Sequence, residues 1–584
     1  MKYFLLSGLL LAQLFGAFRN KPFSNKASSA DNSFADFENR FMDVYWKQNP
    51  SGAIFAGYGK YYDELKIPDS TAFASDIAFA KKYLDTLHSF DYNNLSSADK
   101  IDYNILENQL RSSIWYIDTL KLQEWDPTNY NLGAECYELL NKKDLALNEK
   151  LQLLSKHLQH TDNYFSAALK TIRQPTREHT QLATQQNEGS LEVFGASIAD
   201  SIKASTLSAA QKDTLQQHIQ QTVAAIKNFV VQLEKILADK NYTFRNFRIG
   251  ETLFNQKFKY DIVTDYNAKE IFDKAVAAKN YYHDEIYKIT KTLWPKYFGN
   301  QQSPSDSLVM IKMMIDKISL NHASPESVFD TISQQVHDLE KFIMQKNLFN
   351  YDTTSPLIVR KMPAYMSGAT LASASGVGGP YDKQTLAYYN VADLSAMPRE
   401  KAESQLREHN HYTLQILSIH EAMPGHCLQG VYSNKASSII KAVFGNGAMV
   451  EGWAVYCEKM MLNNGWANNA PEMWLMFYKW SLRECCNVIV DYGIHCLNYS
   501  KDDIVKLLKN EAFQEDAQIE EKYHRATISQ VQLCSYFTGS TEINALRDEV
   551  KKMQGNNFNL KDFHEKFLSY GSAPVKYIRE LMLQ

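Results

Sequence analysis

Cysteine is scarce in this chain and follows no pattern that would organise a fold. The sequence has seven cysteines among 584 residues, an odd number. No C-x-x-C motif occurs, so the usual cysteine-based metal sites are excluded, and a disulfide framework would need paired and dispersed cysteines. We expect most of them to behave as small buried apolar side chains. One disulfide is left open, with no pair favoured.

Excess charge of either sign is also missing. The chain carries 62 basic and 66 acidic residues, which gives a net charge of -4. This balance supplies no electrostatic reason for binding nucleic acid or an anionic membrane surface. We therefore predict no nucleic-acid partner, and composition leaves the oligomeric state undetermined.

A long apolar run occurs only at the start of the chain. Residues 1–17 combine Lys2 with apolar residues that end in small ones, a pattern typical of an export signal and too short for a membrane span. Phe18 stands where a lipoprotein would need cysteine, so we predict export to the periplasm or the outside of the cell without a lipid anchor or integral span. A bulky Phe15 obscures the cleavage site, and an uncleaved N-terminal tether stays open. Residues 18–30 resemble a flexible spacer.

Proline is rare as well, and none lies between Pro175 and Pro295. Its absence suits long helices, because proline breaks helical hydrogen bonding. Ser208 and Gln211 have the spacing of a capping box. An apolar stripe with helical periodicity follows it, formed by Leu215, Ile219, Val223, Ile226, Val230, Leu233 and Leu237. We predict a mainly α fold, with residues 31–350 as an N-terminal helical region.

The pattern changes between residues 350 and 395. Segments 355–360 and 388–391 favour short strands, and a stretch rich in Gly, Ser and Ala separates them. We predict a small sheet that could bind an extended peptide by strand addition, with Asn390 as a substrate-binding residue. A surface loop without substrate contact is the alternative.

The strongest chemical signal is His420-Glu421 followed by His426. On an unbroken helix of about 3.6 residues per turn, the second histidine would point about 240° away from the first. Pro424 and Gly425 favour a break that could bring both rings to one metal ion. Two ordinary histidines near a helix end are the alternative.

A second segment supplies further carboxylates. Glu451 and Glu458 lie seven residues apart on a predicted helix whose apolar neighbours indicate burial. A buried carboxylate needs a partner. Together with His420 and His426, Glu451 completes a three-ligand set of the kind that catalytic zinc sites use, and Glu421 is placed to accept a proton from water. Glu458 is predicted to support the ligands from behind.

These two segments, H-E-A-M-P-G-H and E-G-W-A-V-Y-C-E, resemble the bacterial family called domain of unknown function 885, which is regarded as gluzincin-like zinc peptidases. The resemblance implies a large, two-lobed helical zinc-peptidase-like fold with a small β-sheet beside the cleft, and one zinc ion held by His420, His426 and Glu451. Cys427 stands where relatives commonly have a further histidine, and Gln530-Val531 where relatives have Pro-Gly.

The C-terminal part supplies the remaining candidates. Asp491 and His495 are four residues apart on one helical face, so the carboxylate could orient the imidazole, or the two could form a local polar pair. The resemblance extends to Arg525, Gln532 and Tyr536. Tyr536 and Arg525 are candidates for polarising the scissile carbonyl and for binding a substrate carboxylate, and Gln532 is predicted to bind substrate.

The prediction is an exported zinc metallopeptidase that hydrolyses short peptides, with residues 351–584 as the catalytic region and a cleft that residues 31–350 could share. Hydrolysis of a non-peptide amide or ester, and peptide binding without catalysis, remain alternatives. The ligand set alone does not select a substrate, a bond preference, or cleavage near a terminus rather than inside a peptide.

Overall fold

The computed structural model describes residues 29–350, 357–362, 371–377, 379–382, 386–433 and 436–584. The predicted signal segment 1–17 lies outside the described residues, as does the spacer 18–30 except for its last two positions, where the first helix begins. Within the described part of the chain, no helix is both long and apolar enough to cross a membrane.

The N-terminal region is helical, as the sequence predicts. Its helices are α1 (Ser29–Gln48), α2 (Pro50–Ala56), α3 (Ser70–His88), α4 (Ser97–Trp115), α5 (Leu122–Trp125), α6 (Gly133–Asn141), α7 (Leu147–His157), α8 (Thr161–Thr171), α9 (Arg177–Ser190), α10 (Ala196–Ala204), α11 (Ala209–Ala238), α12 (Gly250–Ile262), α13 (Ala268–Phe298), α14 (Ser307–Ile318) and α15 (Val328–Gln345). The predicted capping box is confirmed: the Ser208 hydroxyl accepts from the Gln211 backbone, and the Gln211 side chain accepts from the Ser208 backbone.

The predicted small sheet is also present. Its strands are β1 (Ile358–Lys361), β2 (Ala372–Val377) and β3 (Leu386–Val391), in the order β1-β3-β2. β1 runs parallel to β3, and β2 runs antiparallel to it. The predicted strands correspond to β1 and β3, whereas β2 forms in the small-residue stretch between them. Among the described residues, β2 is an edge strand of this sheet.

The chain then returns to helices. They are α16 (Arg399–Glu408), α17 (His411–Glu421), α18 (His426–Ser433), α19 (Ile439–Val443), α20 (Gly447–Asn463), α21 (Pro471–Cys496), α22 (Lys501–Lys506), α23 (Asp516–Ile528), α24 (Ser535–Gln554), α25 (Leu560–Leu568) and α26 (Val575–Met582). The mainly α fold class is confirmed.

Two hydrophobic cores stabilise these elements. The smaller core packs α6 to α11 around side chains such as Leu151, Phe165 and Phe229. The larger core joins α1, α4 and α12 to α15 with the sheet and the C-terminal helices. It therefore contains residues from both sides of position 350, and the division into regions 31–350 and 351–584 stays a prediction.

All seven cysteines lie in the described part of the chain, and all are free. Six are buried and Cys496 is half-buried. This agrees with the expectation that most of them act as small apolar side chains.

Candidate metal site

The predicted helix break between His420 and His426 is confirmed. Helix α17 ends at Glu421, and α18 begins at His426. Between them the chain turns, and the Gly425 backbone N–H donates to the Ile419 carbonyl at 2.9 Å. The two imidazole rings consequently lie 4.8 Å apart between centroids, nearly perpendicular to each other.

Gly425 allows this turn because no side chain fits there. A Cβ atom at this position would lie 1.8 Å from the His420 carbonyl oxygen and 2.5 Å from the Ile419 oxygen. The backbone of the first histidine and the backbone that leads into the second histidine therefore pack directly against each other.

Replacement of Gly425 by alanine is expected to destabilise the fold by about 3 kcal/mol, because the clash involves backbone atoms that cannot rotate away. The shift should also move the two imidazoles apart and weaken metal binding. Thermal unfolding and metal titration measure the two effects. Gly447→Ala is the matched control, since its Cβ would meet only the Ser535 hydroxyl, at 3.9 Å. Equal stability and metal affinity in both variants would contradict this account of the turn.

Helix α20 brings the third side chain to the same place. The Trp453 indole donates to the Pro424 carbonyl at 3.0 Å, which joins α20 to the turn between the histidines. Glu451 lies in the first turns of α20, half-buried. Its Oε2 atom is 3.4 Å from Nε2 of His426 and 3.7 Å from Nε2 of His420.

These separations suit a metal ion. Ligand atoms about 2.1 Å from a tetrahedral ion lie about 3.4 Å from one another. Two imidazole nitrogens and a carboxylate oxygen are also a chemically suitable donor set. Glu421 lies at the same place, since His420, Glu421 and His426 each offer a ligand atom within 4.8 Å of the others. The side chains therefore form a cluster that could hold a metal ion.

Glu421 differs from Glu451 in what it contacts. Its Oε2 accepts a hydrogen bond of 2.9 Å from the Ala374 backbone N–H on β2. The side chain is half-buried, whereas His420 and His426 are buried. Glu421 is thus held between the cluster and the edge of the sheet.

Glu458 contacts the Nδ1 side of the His420 ring. Glu451 and Glu458 lie seven residues apart on α20, so one face of this helix brings both side chains to the cluster. Nδ1 of His420 is 2.8 Å from Oε1 of Glu458, which is fully buried. The Trp480 indole donates to the same oxygen at 3.1 Å. A proton on Nδ1 that is donated to Glu458 leaves the Nε2 lone pair available for a metal ion. Nδ1 of His426, in contrast, has no hydrogen-bond partner among the described residues.

A second buried carboxyl supports Glu458. Burial raises the pKa of Glu484 well above its ordinary value, and the neighbouring Glu458 carboxylate raises it further. The protonated form of Glu484 is therefore favoured beside the Glu458 carboxylate.

Replacement of Glu458 by glutamine is expected to lower metal affinity about 10- to 100-fold, because the amide no longer provides a charged acceptor for His420. The shape of the side chain is retained, so the fold should persist. Competition with a chelator measures the affinity. Glu549→Gln, at an exposed glutamate on α24, is the control. An affinity as high as that of the control would show that Glu458 does not support the histidine.

The cluster also has a characteristic electrostatic balance. Burial alone would lower the pKa of His420, but hydrogen bonds with Glu451 and Glu458 raise it well above its ordinary value. Burial alone would raise the pKa of Glu451, yet His420 and His426 hold it well below its usual range. A metal ion that binds these atoms must displace the imidazole proton, so metal binding should weaken as pH falls.

Tyr536 reaches the cluster from the first turn of α24. Its ring stacks against His420 with centroids 6.3 Å apart. Close packing of α20 on α24 explains this position, because a Cβ on Gly452 or Gly539 would lie within 2.5 Å of the facing backbone. Burial raises the pKa of Tyr536, so its hydroxyl keeps its proton at neutral pH.

Arg525 and Gln532 join Tyr536. Nη2 of Arg525 donates to Oε1 of Gln532 at 2.6 Å and to the Tyr536 hydroxyl at 3.0 Å. The three predicted residues are therefore in contact, and Tyr536 connects them to His420. Their roles toward a substrate stay predictions.

Asp491 and His495 lie beside the turn that carries Gln532. Asp491 accepts hydrogen bonds from the Val531 and Leu533 backbone, and burial raises its pKa to about 7. Nε2 of His495 lies 2.9 Å from the Ala526 carbonyl but 3.7 Å from Asp491, which is too long for a hydrogen bond. The carbonyl, and not the carboxylate, therefore orients this imidazole.

Asn390 is fully buried in the sheet. Its amide donates to the Ser375 hydroxyl at 2.8 Å and to the Ser373 carbonyl at 3.2 Å, and it accepts from Nε of Arg360 at 2.7 Å. These contacts connect all three strands, and its predicted contact with substrate remains a prediction.

Sequence reasoning missed three residues of the site: Ala374, Trp480 and Glu484. Ala374 contributes only a backbone N–H, which no side-chain pattern can reveal. Trp480 and Glu484 lie four residues apart on α21, so both can approach Glu458 from one helical face. A buried glutamate within the apolar sequence of α21 is the one signal that could have identified Glu484.

Comparison with known proteins gives a family but no activity. No curated protein matches the chain. A solved structure from Shewanella oneidensis, titled a "putative lipoprotein of unknown function", is 43% identical, covers 96% of this chain and 100% of its own, and has a TM-score of 0.86. A "putative lipoprotein" from Colwellia psychrerythraea shares the fold at 15% identity, covers 95% and 99% of the two chains, and has a TM-score of 0.75. The family described as "Bacterial protein of unknown function (DUF885)" matches residues 50–582, and the chain belongs to that family.

Proposed function

We propose that this protein is a zinc-dependent peptidase that hydrolyses short peptides. The observation that carries the proposal is the convergence of His420, His426 and Glu451 from three helices, with Oε2 of Glu451 3.4 and 3.7 Å from the two Nε2 atoms. A proton acceptor, Glu421, and a hydroxyl donor, Tyr536, lie beside this convergence.

The donor set fits a zinc ion. Zinc prefers imidazole nitrogen and carboxylate oxygen in a four-coordinate arrangement, and catalytic sites use three protein ligands. When bound, zinc lowers the pKa of water to about 7 and polarises a carbonyl group. His420, His426 and Glu451 would hold the ion, and Glu458 would fix the tautomer of His420.

Glu421 is the proposed general base. Its carboxylate lies next to the ligand atoms, and the Ala374 N–H holds one oxygen in a fixed position. The side chain accepts a proton from the attacking water and delivers it to the leaving amine. Such proton transfer contributes about 10²–10⁴-fold to a rate.

Tyr536 is the proposed electrophile. Its hydroxyl accepts from Arg525, so its own proton is free to be donated to the oxygen of the scissile carbonyl as negative charge develops there. The polypeptide thus provides both proton transfer and charge stabilisation.

Peptide is the favoured substrate because the site adjoins a strand edge. β2 presents the Ala374 N–H toward Glu421 and away from β3. An extended peptide could pair with such an edge by main-chain hydrogen bonds. The buried histidines favour short peptides over folded proteins.

Export is part of the proposal. Residues 1–17 have the pattern of an export signal, and two solved structures with this fold are titled putative lipoproteins. We propose a periplasmic or extracellular location, with an N-terminal membrane tether as a variant of it.

Two measurements test the function. Metal analysis of protein purified without chelators should find about one zinc ion per chain, since the described residues offer one such three-ligand set. Incubation with a peptide library, read by mass spectrometry, should yield zinc-dependent cleavage. Zinc without peptide cleavage would favour a hydrolase of other amides or esters, and peptide binding without zinc would favour a non-catalytic binding protein.

A further inference from the structure

Arg525 is a cation beside the candidate active site that lacks a paired carboxylate. Both hydrogen bonds that the described structure gives it come from Nη2 and go to the neutral side chains Gln532 and Tyr536. Among the described residues, its Nε and Nη1 groups have no hydrogen-bond partner, and the guanidinium forms no ion pair with a carboxylate. The side chain is half-buried, so these groups can still reach a ligand.

The carboxylates nearest to Arg525 leave its guanidinium without a directly paired anion. The carboxylates of Glu451 and Glu521 attract the positive charge of Arg525, although neither lies within ion-pair distance of it. Glu451 is also committed to the histidine cluster, where it lies 3.4 Å from His426. Binding of a divalent cation there would add positive charge next to Arg525. With that added positive charge nearby, the half-buried guanidinium is best neutralised by a carboxylate that accepts hydrogen bonds from its free N–H groups.

We infer that Arg525 binds the C-terminal carboxylate of the peptide substrate, and that the enzyme is a carboxypeptidase that removes one or two residues at a time. This inference rests on the proposed function and specifies its substrate. Gln532 then acts as a positioning residue, because its Oε1 accepts from Nη2 and so fixes the orientation of the guanidinium.

Distance sets the length of the released fragment. Nη2 of Arg525 is 3.0 Å from the Tyr536 hydroxyl. A hydroxyl that donates to the scissile carbonyl oxygen lies about 2.8 Å from it, so Nη2 of Arg525 lies within about 6 Å of that oxygen and the other guanidinium nitrogens within about 8 Å. An extended residue spans about 3.5 Å, so the terminal carboxylate of one or two residues can reach Arg525, and that of a longer fragment overshoots it.

The reaction is an ordinary hydrolysis. The hydroxyl of water bonds to the carbonyl carbon of the scissile peptide, and its proton passes through Glu421 to the leaving nitrogen as the C–N bond breaks. The products are a peptide with a new C-terminal carboxylate and a free amino acid or dipeptide. No oxidant, reductant or further reactant is needed.

Matched peptides test the inference on the wild-type protein. Each peptide from the library that is cleaved is made with a free C-terminal carboxylate and with a C-terminal amide. We expect kcat/KM to fall about 10- to 100-fold on amidation, the loss of a hydrogen-bonded charge pair. Mass spectra of the free acids should show the loss of one or two C-terminal residues.

Variants assign the effect to Arg525. Arg525→Gln should lower the ratio of kcat/KM for the free acids to kcat/KM for the amides about 10- to 100-fold, because loss of the hydrogen bond to Tyr536 affects both substrates alike and only the acids have a carboxylate to lose. Arg525→Lys should restore part of the activity toward the acids. Arg579→Gln, at an exposed arginine that pairs with Glu549, is the control and should behave as wild type.

The outcomes separate the inference from the function on which it rests. A preference for free acids that disappears in Arg525→Gln supports the inference. Equal cleavage of acids and amides, or cuts far from the C-terminus, overturns it and leaves a zinc endopeptidase or aminopeptidase. If Arg525→Gln lowers kcat/KM equally for acids and amides, the inference is also overturned. Arg525 would then act only by positioning the Tyr536 hydroxyl. Failure to cleave any peptide overturns the proposed function and this inference with it.

Discussion

Replacement of His420 by alanine is expected to abolish both zinc binding and hydrolysis. The variant removes one of three proposed ligands and also the partner of Glu458, whose Oε1 lies 2.8 Å from Nδ1 of His420. Glu458 is fully buried, so loss of the imidazole leaves a buried charge with less compensation, which costs about 3 kcal/mol or more. Metal analysis after gel filtration measures the loss of zinc, and turnover of a cleaved peptide measures the loss of hydrolysis. Thermal unfolding measures the loss of stability.

His411→Ala is the matched control for this prediction. His411 lies on the same helix, at its exposed start, and its ring contacts Tyr412. The control should keep zinc, activity and stability near wild-type values. If His420→Ala bound zinc as tightly as His411→Ala, the metal site would have to lie elsewhere in the chain.

The helix break between the two histidines could be predicted from the sequence. Their spacing is incompatible with an unbroken helix, and Pro424 with Gly425 identifies where the helix must break. The structure confirms that break and shows why glycine is required, since a side chain there would overlap the His420 carbonyl. Local stereochemistry alone decides this feature, and local stereochemistry can be read from sequence.

The contacts across the site could not be read in this way. Glu421 meets the Ala374 backbone, which is 47 residues earlier in the chain. β2 itself was not predicted, because its small residues have little strand propensity and it forms by pairing with β3. The Glu421–Ala374 contact and the formation of β2 both depend on tertiary packing, which the periodicity of the sequence does not indicate.

The turn before Gln532 shows a mixed outcome. Relatives in the resemblance have Pro-Gly where this chain has Gln530-Val531, and Val531 adopts a positive φ of 73°. That conformation is unfavourable for a β-branched residue. Hydrogen bonds from the Val531 and Leu533 backbone to buried Asp491 hold the turn in place, so the position of Gln532 depends on a residue from α21.

Replacement of Glu421 by glutamine is expected to retain zinc and to lower kcat by about 10²–10⁴-fold, the contribution of a general base. Glutamine has nearly the same shape, and its carbonyl oxygen can still accept from the Ala374 N–H, so the fold and the three proposed ligands should be undisturbed. It cannot, however, accept a proton from water near neutral pH. Because substrate binding does not need that proton transfer, KM should change much less than kcat.

Retention of zinc together with loss of turnover in Glu421→Gln would distinguish a general base from a metal ligand. His420, Glu421 and His426 lie close enough for Glu421 itself to be considered a ligand. If Glu421 were the third ligand in place of Glu451, Glu421→Gln would lose zinc and Glu451→Gln would keep it. Glu400→Gln, at an exposed glutamate of α16, controls for the loss of one negative charge. Normal turnover by Glu421→Gln would refute the assignment of the base, because a glutamine side chain cannot accept the proton of the attacking water.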